Sequence, residues 1–360
     1  MRVRYPAVRD LVIVLSDLYW SAATEAKPER EIDVPALERV SRFGEATLLG
    51  EGWRTWLARR MGFSDALRAT PADAVAELSK IAGANPLLTG SRGTTSAWVA
   101  QPVHWLASLS TLHLDRRGIL LLSATELVRL AADFNATFAD SPYRVQPLDS
   151  GELLVTSATP VDAVTVNPAR CVGTDFSVAL PGGEGGGALR RLGSEIEMWL
   201  HDHPLNRERQ QRRAPPISGL WFWDGREPAT VNASHISSLE KTLVLGHDWL
   251  IDALNRRQGY TPQPLPDILA PQVIYPTADA ASSMVFLIRT TDLLNANAAW
   301  TLDDVLIDID SRYLAPAVQA LAAGNVQRVS IIANDRQLLL QPRDHWKLWR
   351  PRKPGVSGLQ

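Results

Sequence analysis

A single cysteine, Cys171, in 360 residues excludes an intramolecular disulfide and any zinc site built on several thiolates. A reducing compartment fits that scarcity. The chain also lacks an excess of either charge: 37 Lys and Arg stand against 39 Asp and Glu, for a formal net charge of -2. That balance does not supply the basic footprint duplex nucleic acid demands, so nucleic acid is not expected as a partner. Long apolar runs are missing as well. The run from Leu11 to Leu15 is too short for a signal-peptide core, and no window reaches the roughly 18 apolar residues of a membrane span. The expectation is a cytoplasmic protein without a membrane partner.

What is present is ordinary globular material, 45% hydrophobic and 21% charged, at a length that suggests about two domains or one α/β unit with an insertion. Twelve tryptophans are spread from Trp20 to Trp349 without a repeat, and packing is their plain reading.

The first clear element is a strand over residues 10–15, whose continuous leucine and β-branched run reads as buried on both faces of a parallel sheet. Asp17 follows at its carboxyl end, where open α/β sheets bind ligands; the alternative is a turn or helix cap. Helices are predicted over 34–43, 53–61 and 71–81, then a Gly/Ser/Thr/Asn-rich loop over 83–95. From Ala97 the texture changes to short strands (97–100, 118–122, 143–145, 152–155) around a helix from Ala124 to Phe138, which Ser123 and Glu126 open as a capping box. Residues 181–187, five of them glycine, read as a loop without the Lys-Ser/Thr of a phosphate-binding P-loop. A helix opening with the Ser194/Glu197 capping box runs to His203-Pro204, with Glu197 and His201 one turn apart, a spacing that metals use but helix surfaces use more often. A strand over 217–223 carries alternating aromatics. The α/β texture then returns with strands at 242–245, 283–289 and 328–333 and helices at 247–258 and 301–322. The economical architecture is an α/β fold: a mainly parallel sheet core from both chain ends, residues 1–97 and 240–360, with an inserted α+β module over 98–239.

Asp17, Asp292 and Asp335 each follow an apolar run, so parallel strands would present three carboxylates at one sheet edge. Clustered carboxylates invite a divalent cation unless each caps a helix or turn.

Several stretches, the Asp17 strand, Pro35-Ala-Leu-Glu-Arg-Val40, His203-Pro-Leu-Asn206-Arg-Glu-Arg209 and Leu220-Trp-Phe-Trp-Asp-Gly225, resemble the archaeal-type cofactor-independent phosphoglycerate mutases of the alkaline-phosphatase superfamily. Trp98-Val-Ala-Gln-Pro102-Val-His104, Glu195-Ile-Glu-Met-Trp-Leu-His-Asp-His203-Pro and Trp300 add a resemblance to a bacterial branch of RpfE-type regulatory, phosphoglycerate-mutase-like proteins. The resemblance runs from about Arg9 to Trp349. It implies an alkaline-phosphatase-like core with a substrate-binding insert, two metal ions and a transiently phosphorylated serine. Asp17, Asp292 and Asp335 fall where the family has metal-binding aspartates.

The departures carry more weight. Where the mutases have Asp-Glu-Ala-Gly-His, this chain has Asp292-Leu-Leu-Asn295-Ala-Asn297, and their Asp-His is Asp335-Arg336. Both histidines are missing, and an arginine replaces one of them. Thr47 and Thr55 lie in the nucleophile's neighbourhood without a matching motif. The expectation is a catalytically degenerate, regulatory or ligand-binding relative with no cofactor; the alternative is a metal-dependent phosphoglycerate mutase or phosphatase in which Asn295, Asn297 and the remaining aspartates hold Mn²⁺ or Mg²⁺. Arg336 is expected to neutralise the aspartates. His203, Asn206 and Arg209 are the candidate ligands of an anionic small molecule between the domains, or else a structural clamp.

Overall fold

The computed structural model describes residues 8–19, 32–63, 71–81, 96–107, 112–175, 179–227, 241–270, 282–347, 349–351, 355 and 359. The loop expected over 83–95 lies outside them. The strands are β1 (Asp10–Leu15), β2 (Glu45–Leu48), β3 (Ser96–Val103), β4 (Leu106–Ala107), β5 (Leu112–His113), β6 (Tyr143–Pro147), β7 (Leu153–Ser157), β8 (Gly219–Trp223), β9 (Thr242–Leu245), β10 (Ser283–Ile288), β11 (Arg328–Ala333) and β12 (Arg336–Leu340). The helices are α1 (Pro35–Phe43), α2 (Gly52–Arg60), α3 (Pro71–Ile81), α4 (Ala124–Thr137), α5 (Gly186–His201), α6 (Pro204–Gln211), α7 (Trp249–Arg257), α8 (Thr290–Ala296), α9 (Leu302–Ile309) and α10 (Ala315–Ala322). None is long and apolar enough to cross a membrane among the described residues.

Strands from both chain ends build one six-stranded sheet in the order β2-β12-β11-β1-β10-β9. β1 pairs in parallel with β10 on one side and β11 on the other. Its unbroken apolar run has a direct cause: Leu11, Ile13 and Leu15 join the core packed with α1, α9 and α10, while Val12 and Val14 join the core on the opposite face with α2, α3 and α7. A central strand with helices on both faces has no polar side to show. β11 then reverses through Asn334 and Asp335, both with positive φ (48° and 58°), into the antiparallel β12. Two left-handed central residues are the mark of a tight hairpin turn that Asn and Asp tolerate.

The α+β insert carries an antiparallel sheet, β6-β7-β3-β8. One face packs with α4, α5 and α6, while Val99, Leu154 and Trp223 from the other face enter the core shared with α3 and α7. The insert is therefore fused to the main sheet's helical layer by a common apolar core.

Three local expectations change. The helix expected to open at Ser194 begins at Gly186. Leu189, Leu192, Ile196 and Leu200 form one buried stripe at helical spacing, and burying that stripe outweighs the weak propensity of Gly186 and Gly187. The strand expected over 118–122 is a short 3-10 turn, Arg116–Gly118, followed by a single bridge from Ile119 to Val103. The long helix over 301–322 is continuous but carries a π turn at Asp310–Leu314. Pro316 has no N–H for the Arg312 carbonyl, which accepts from Leu269 N at 3.0 Å instead. The widened turn places the buried Asp310 at the start of α1, where its oxygens accept from Ala36 N (3.2 Å) and Leu37 N (2.7 Å) and replace the cap that Val34 lacks.

Candidate functional site

The carboxyl ends of β1 and β10 meet the insert along a seam of charge. Asp17, two residues past β1, is buried, and its Oδ1 accepts from Thr290 N and Oγ1, both at 2.7 Å. Oδ2 accepts from Thr291 N at 2.7 Å and from Thr291 Oγ1. Asp17 thus caps α8, an acidic group at a helix N-terminus with its lone pairs already occupied.

Arg54, in the first turn of α2, is buried among three indoles, 4.3 Å from the Trp53 ring centre, 4.9 Å from Trp223 and 5.5 Å from Trp249. Its Nε donates to Asp248 at 2.9 Å, and Nη1 stands 3.8 Å from Glu227. Glu227 reaches this place past Gly52, whose φ is +74° and where a Cβ would stand 2.6 Å from the Glu227 Cγ. Only glycine suits that position.

Arg170 of the insert closes the next part of the seam. It pairs with Glu227 and with Asp335, each at 2.7 Å, and lies 4.1 Å over the Tyr19 ring. Burial opposes its charge, but Tyr19, Glu227 and Asp335 together hold its pKa above the usual arginine value. Burial, and then Glu227, push the Tyr19 hydroxyl well above its ordinary range, which keeps it neutral. Arg289, directly after β10, pairs with Glu152 at 2.9 Å and stands 3.6 Å from Asp292. Burial raises the pKa of both acids, and Arg289 offsets it only in part.

Two more insert arginines act as staples. Arg116 Nη1 donates to the Asp17 carbonyl at 2.7 Å, and Arg117 Nη2 donates to the carbonyls of Asn297, at 3.2 Å, and Trp300 at the far end of α8. Between these groups lies a cavity of about 30 Å³ lined by Asp17, Arg54, Glu152, Arg289 and the indoles of Trp221, Trp223 and Trp249. That is room for about one water.

The three aspartates expected to share a cation are therefore distributed to separate partners: Asp17 to the α8 N-terminus, Asp292 to Arg289, Asp335 to Arg170. The cation at Asp335 is Arg170 from the insert, where Arg336 was expected; Arg336 begins β12 and pairs in register with Ala333. Asn295 donates to the Ile119 carbonyl at 2.8 Å and Asn297 to the Leu293 carbonyl at 3.1 Å. Among the described residues no group of three or more His, Cys, Asp or Glu side chains is placed to hold a metal ion. The donor set does not fit the two-metal centre that the family resemblance implies.

His203, Asn206 and Arg209 lie in the insert's helical layer and face a buried polar network. His203 caps α6, its Nδ1 accepting from Leu205 N at 3.2 Å. Burial lowers its pKa, so the ring is neutral with the proton on Nε2, 3.3 Å from Asp133. Asn206 donates to the Leu200 and Ile217 carbonyls at 2.8 and 2.9 Å and accepts from Ile217 N at 2.7 Å. Arg209 joins the Pro215 carbonyl (2.8 Å) to Glu126 (2.9 Å), the acid of the α4 capping box. Each of the three polar groups thus bonds within the insert. The seam residues Arg54, Glu152, Arg170 and Glu227 carry no local motif. Arg289 was within reach of sequence reasoning, because it follows a buried strand just as Asp17 does.

No protein-family model matches the chain, and no curated protein matches it. Among solved structures it is similar to a cofactor-independent phosphoglycerate mutase from Thermoplasma acidophilum, at 14% identity over 93% of this chain and 90% of that one, with a TM-score of 0.37. It is also similar to the PH0037 protein of Pyrococcus horikoshii, at 11% identity over 98% and 92% of the two chains, with a TM-score of 0.44.

Proposed function

We propose that this chain is a catalytically degenerate, phosphoglycerate-mutase-like protein that acts by binding, in a regulatory role, with residues 1–97 and 240–360 as its core and 98–239 as its inserted module. The observation that carries the reading is the pairing along the seam. Asp17, Asp292 and Asp335, which the sequence resemblance implies are the counterparts of the family's metal-binding aspartates, are engaged by a helix N-terminus and two arginines. Arg170 bonds to Asp335 at 2.7 Å and Arg289 stands 3.6 Å from Asp292, so the three carboxylates do not converge with free lone pairs on one divalent ion. The absence of a motif matching the family's nucleophile around Thr47 and Thr55 supports the same reading.

The test is metal content of the purified protein, followed by assays of phosphoglycerate isomerisation and of a generic phosphomonoester with added Mn²⁺, Mg²⁺ or Zn²⁺. The expected result is no stoichiometric metal and no turnover. Stoichiometric metal together with an activity lost in Asp17→Ala and Asp335→Ala would establish a metal-dependent enzyme with altered ligands instead.

A further inference from the structure

A second opening on the same seam has the size of a ligand site. It is a groove of about 450 Å³, within the range of about 300–1,000 Å³ typical of small-molecule pockets. It lies between the carboxyl ends of β9 and β10, the first turns of α4 and the β6–β7 turn, where open α/β sheets bind ligands. Its walls are aliphatic, with Leu121, Leu127, Val128, Leu148, Leu265 and Leu293 among them. Leu121 and Val128 are 45% and 57% exposed, so the apolar wall opens to solvent.

The inner end is polar and unbalanced. Among the described residues Arg289 is the cation there, and its guanidinium is shared between two carboxyl groups, Glu152 at 2.9 Å and Asp292 at 3.6 Å. The Asp292 side chain keeps 40% exposure. Ser150 flanks the same guanidinium, its carbonyl accepting from Arg289 Nη2 at 3.2 Å. Its hydroxyl is buried and lines the groove beside Glu152, whose charged form it favours, yet it completes no well-formed hydrogen bond within the protein, an arrangement that a ligand donor or acceptor would improve. Among the described residues, the other ionisable groups facing the groove have partners: Asp149 has Arg256, and His247 Nδ1 lies 2.9 Å from Asp252. An anion here would have to compete with both acids for Arg289, whereas a cation would complete the set.

We propose that this groove binds a small amphipathic amine, its aliphatic body along the leucine wall and its ammonium at Asp292 and the Ser150 hydroxyl. The inference rests on the binding role above and names the ligand class for it. The probes are n-alkylamines from hexylamine to decylamine, with the matching alkanoates and alkanols, titrated calorimetrically into the full-length protein below their micelle concentrations. Saturable one-site binding of the amines is expected, tightening about fourfold per methylene as each CH₂ is buried. Asp292→Asn should weaken amine binding about tenfold or more, the worth of a charge-assisted hydrogen bond, and leave the alkanols unchanged. Val128→Trp, at an exposed position that tolerates bulk, should block all of the probes.

Absence of saturable decylamine binding, equal affinity for decanoate, or amine binding untouched in the folded Asp292→Asn protein would each overturn the proposal. The non-catalytic reading is decided separately, by metal content and turnover. A failed amine titration leaves that reading standing, and turnover would remove it without altering the titration.

Discussion

Replacing Asp17 with alanine separates a helix cap from a vacant metal ligand by the sign of the stability change. In the structure the carboxylate accepts from the backbone N–H groups of Thr290 and Thr291 and from both hydroxyls, at a buried position. The substitution removes the N-terminal cap of α8, worth about 0.5–2 kcal/mol. It also leaves two buried N–H groups without acceptors, at about 1–3 kcal/mol for each unsatisfied group. The two costs describe overlapping events, so the net destabilisation should be about 2–4 kcal/mol. α8 has seven residues and cannot hold its own first turn without help.

The assay is urea unfolding in a chelating buffer, read as a lower midpoint at unchanged slope. Asp17→Asn keeps one acceptor oxygen and should show roughly half the loss. A metal site emptied by the chelator predicts the reverse, because deleting one of several mutually repelling carboxylates relieves the folded state. An Asp17→Ala protein as stable as the parent, or more stable, would refute the capping argument and return Asp17 to the metal-ligand role.

Arg170→Met should cost about 2–3 kcal/mol, less than the 3–5 typical of a broken buried pair, because Arg54, 3.8 Å away, still faces Glu227; limited proteolysis and unfolding midpoints report it. Glu152 holds its proton above the ordinary carboxyl value of 4.5 because it is buried. The folded state therefore binds more protons than the unfolded state in the window above 4.5, and stability from this group is gained as pH falls into the window and lost as pH rises through the folded pKa. Glu152→Gln should flatten that part of the stability-against-pH curve, and an unchanged curve would contradict it. The Cys171 thiol is pushed up from 9.0 to about 11 by burial. Its reaction with a chromogenic disulfide at pH 8 should be at least about a hundredfold slower in the native protein than in the unfolded one.

The main sheet was legible because its strands obey a strong rule. A run such as Leu11-Val-Ile-Val-Leu15 feeds two cores at once, and no alternating or helical pattern competes with it. The Ser123/Glu126 capping box was legible for the same reason, as a local signal with a local partner. The start of α5 was not, because the decisive stripe from Leu189 to Leu200 is satisfied by the insert's sheet and a capping box in mid-helix imitates a beginning. At Asp335 the signal was present: Asn334-Asp335 between two apolar runs is hairpin chemistry. Reading β11 only as a parallel strand placed Arg336 beside the site and missed the reversal that turns Asp335 toward Arg170. The seam itself could not be read locally. Arg170 and Asp335 are 165 positions apart, and Arg170 and Glu227 are 57 apart.

The arginines explain how a cleft with several acids at one sheet edge holds together. Several acids brought to one sheet edge repel, and the fold survives only if something matches them. A divalent ion does so with two charges and exchangeable coordination positions, which is also what makes it a catalyst. A guanidinium does so with one charge and a fixed planar fork, tied covalently to the chain. Here the forks come from both sides of the seam: Arg116, Arg117 and Arg170 from the insert, Arg54 and Arg289 from the core. Arg54, Arg170 and Arg289 pair with its acids, while Arg116 and Arg117 bond to backbone carbonyls of the loop after β1 and the end of α8, so the same seam that matches the acids also locks the insert onto the sheet. That arrangement shrinks the inner cavity to about one water and moves the accessible volume outward to the aliphatic groove, where Arg289 still serves two acids. A seam stapled in this way is rigid, and Asp292, which shares Arg289 with Glu152 and keeps 40% exposure, is where the proposed amine would meet it.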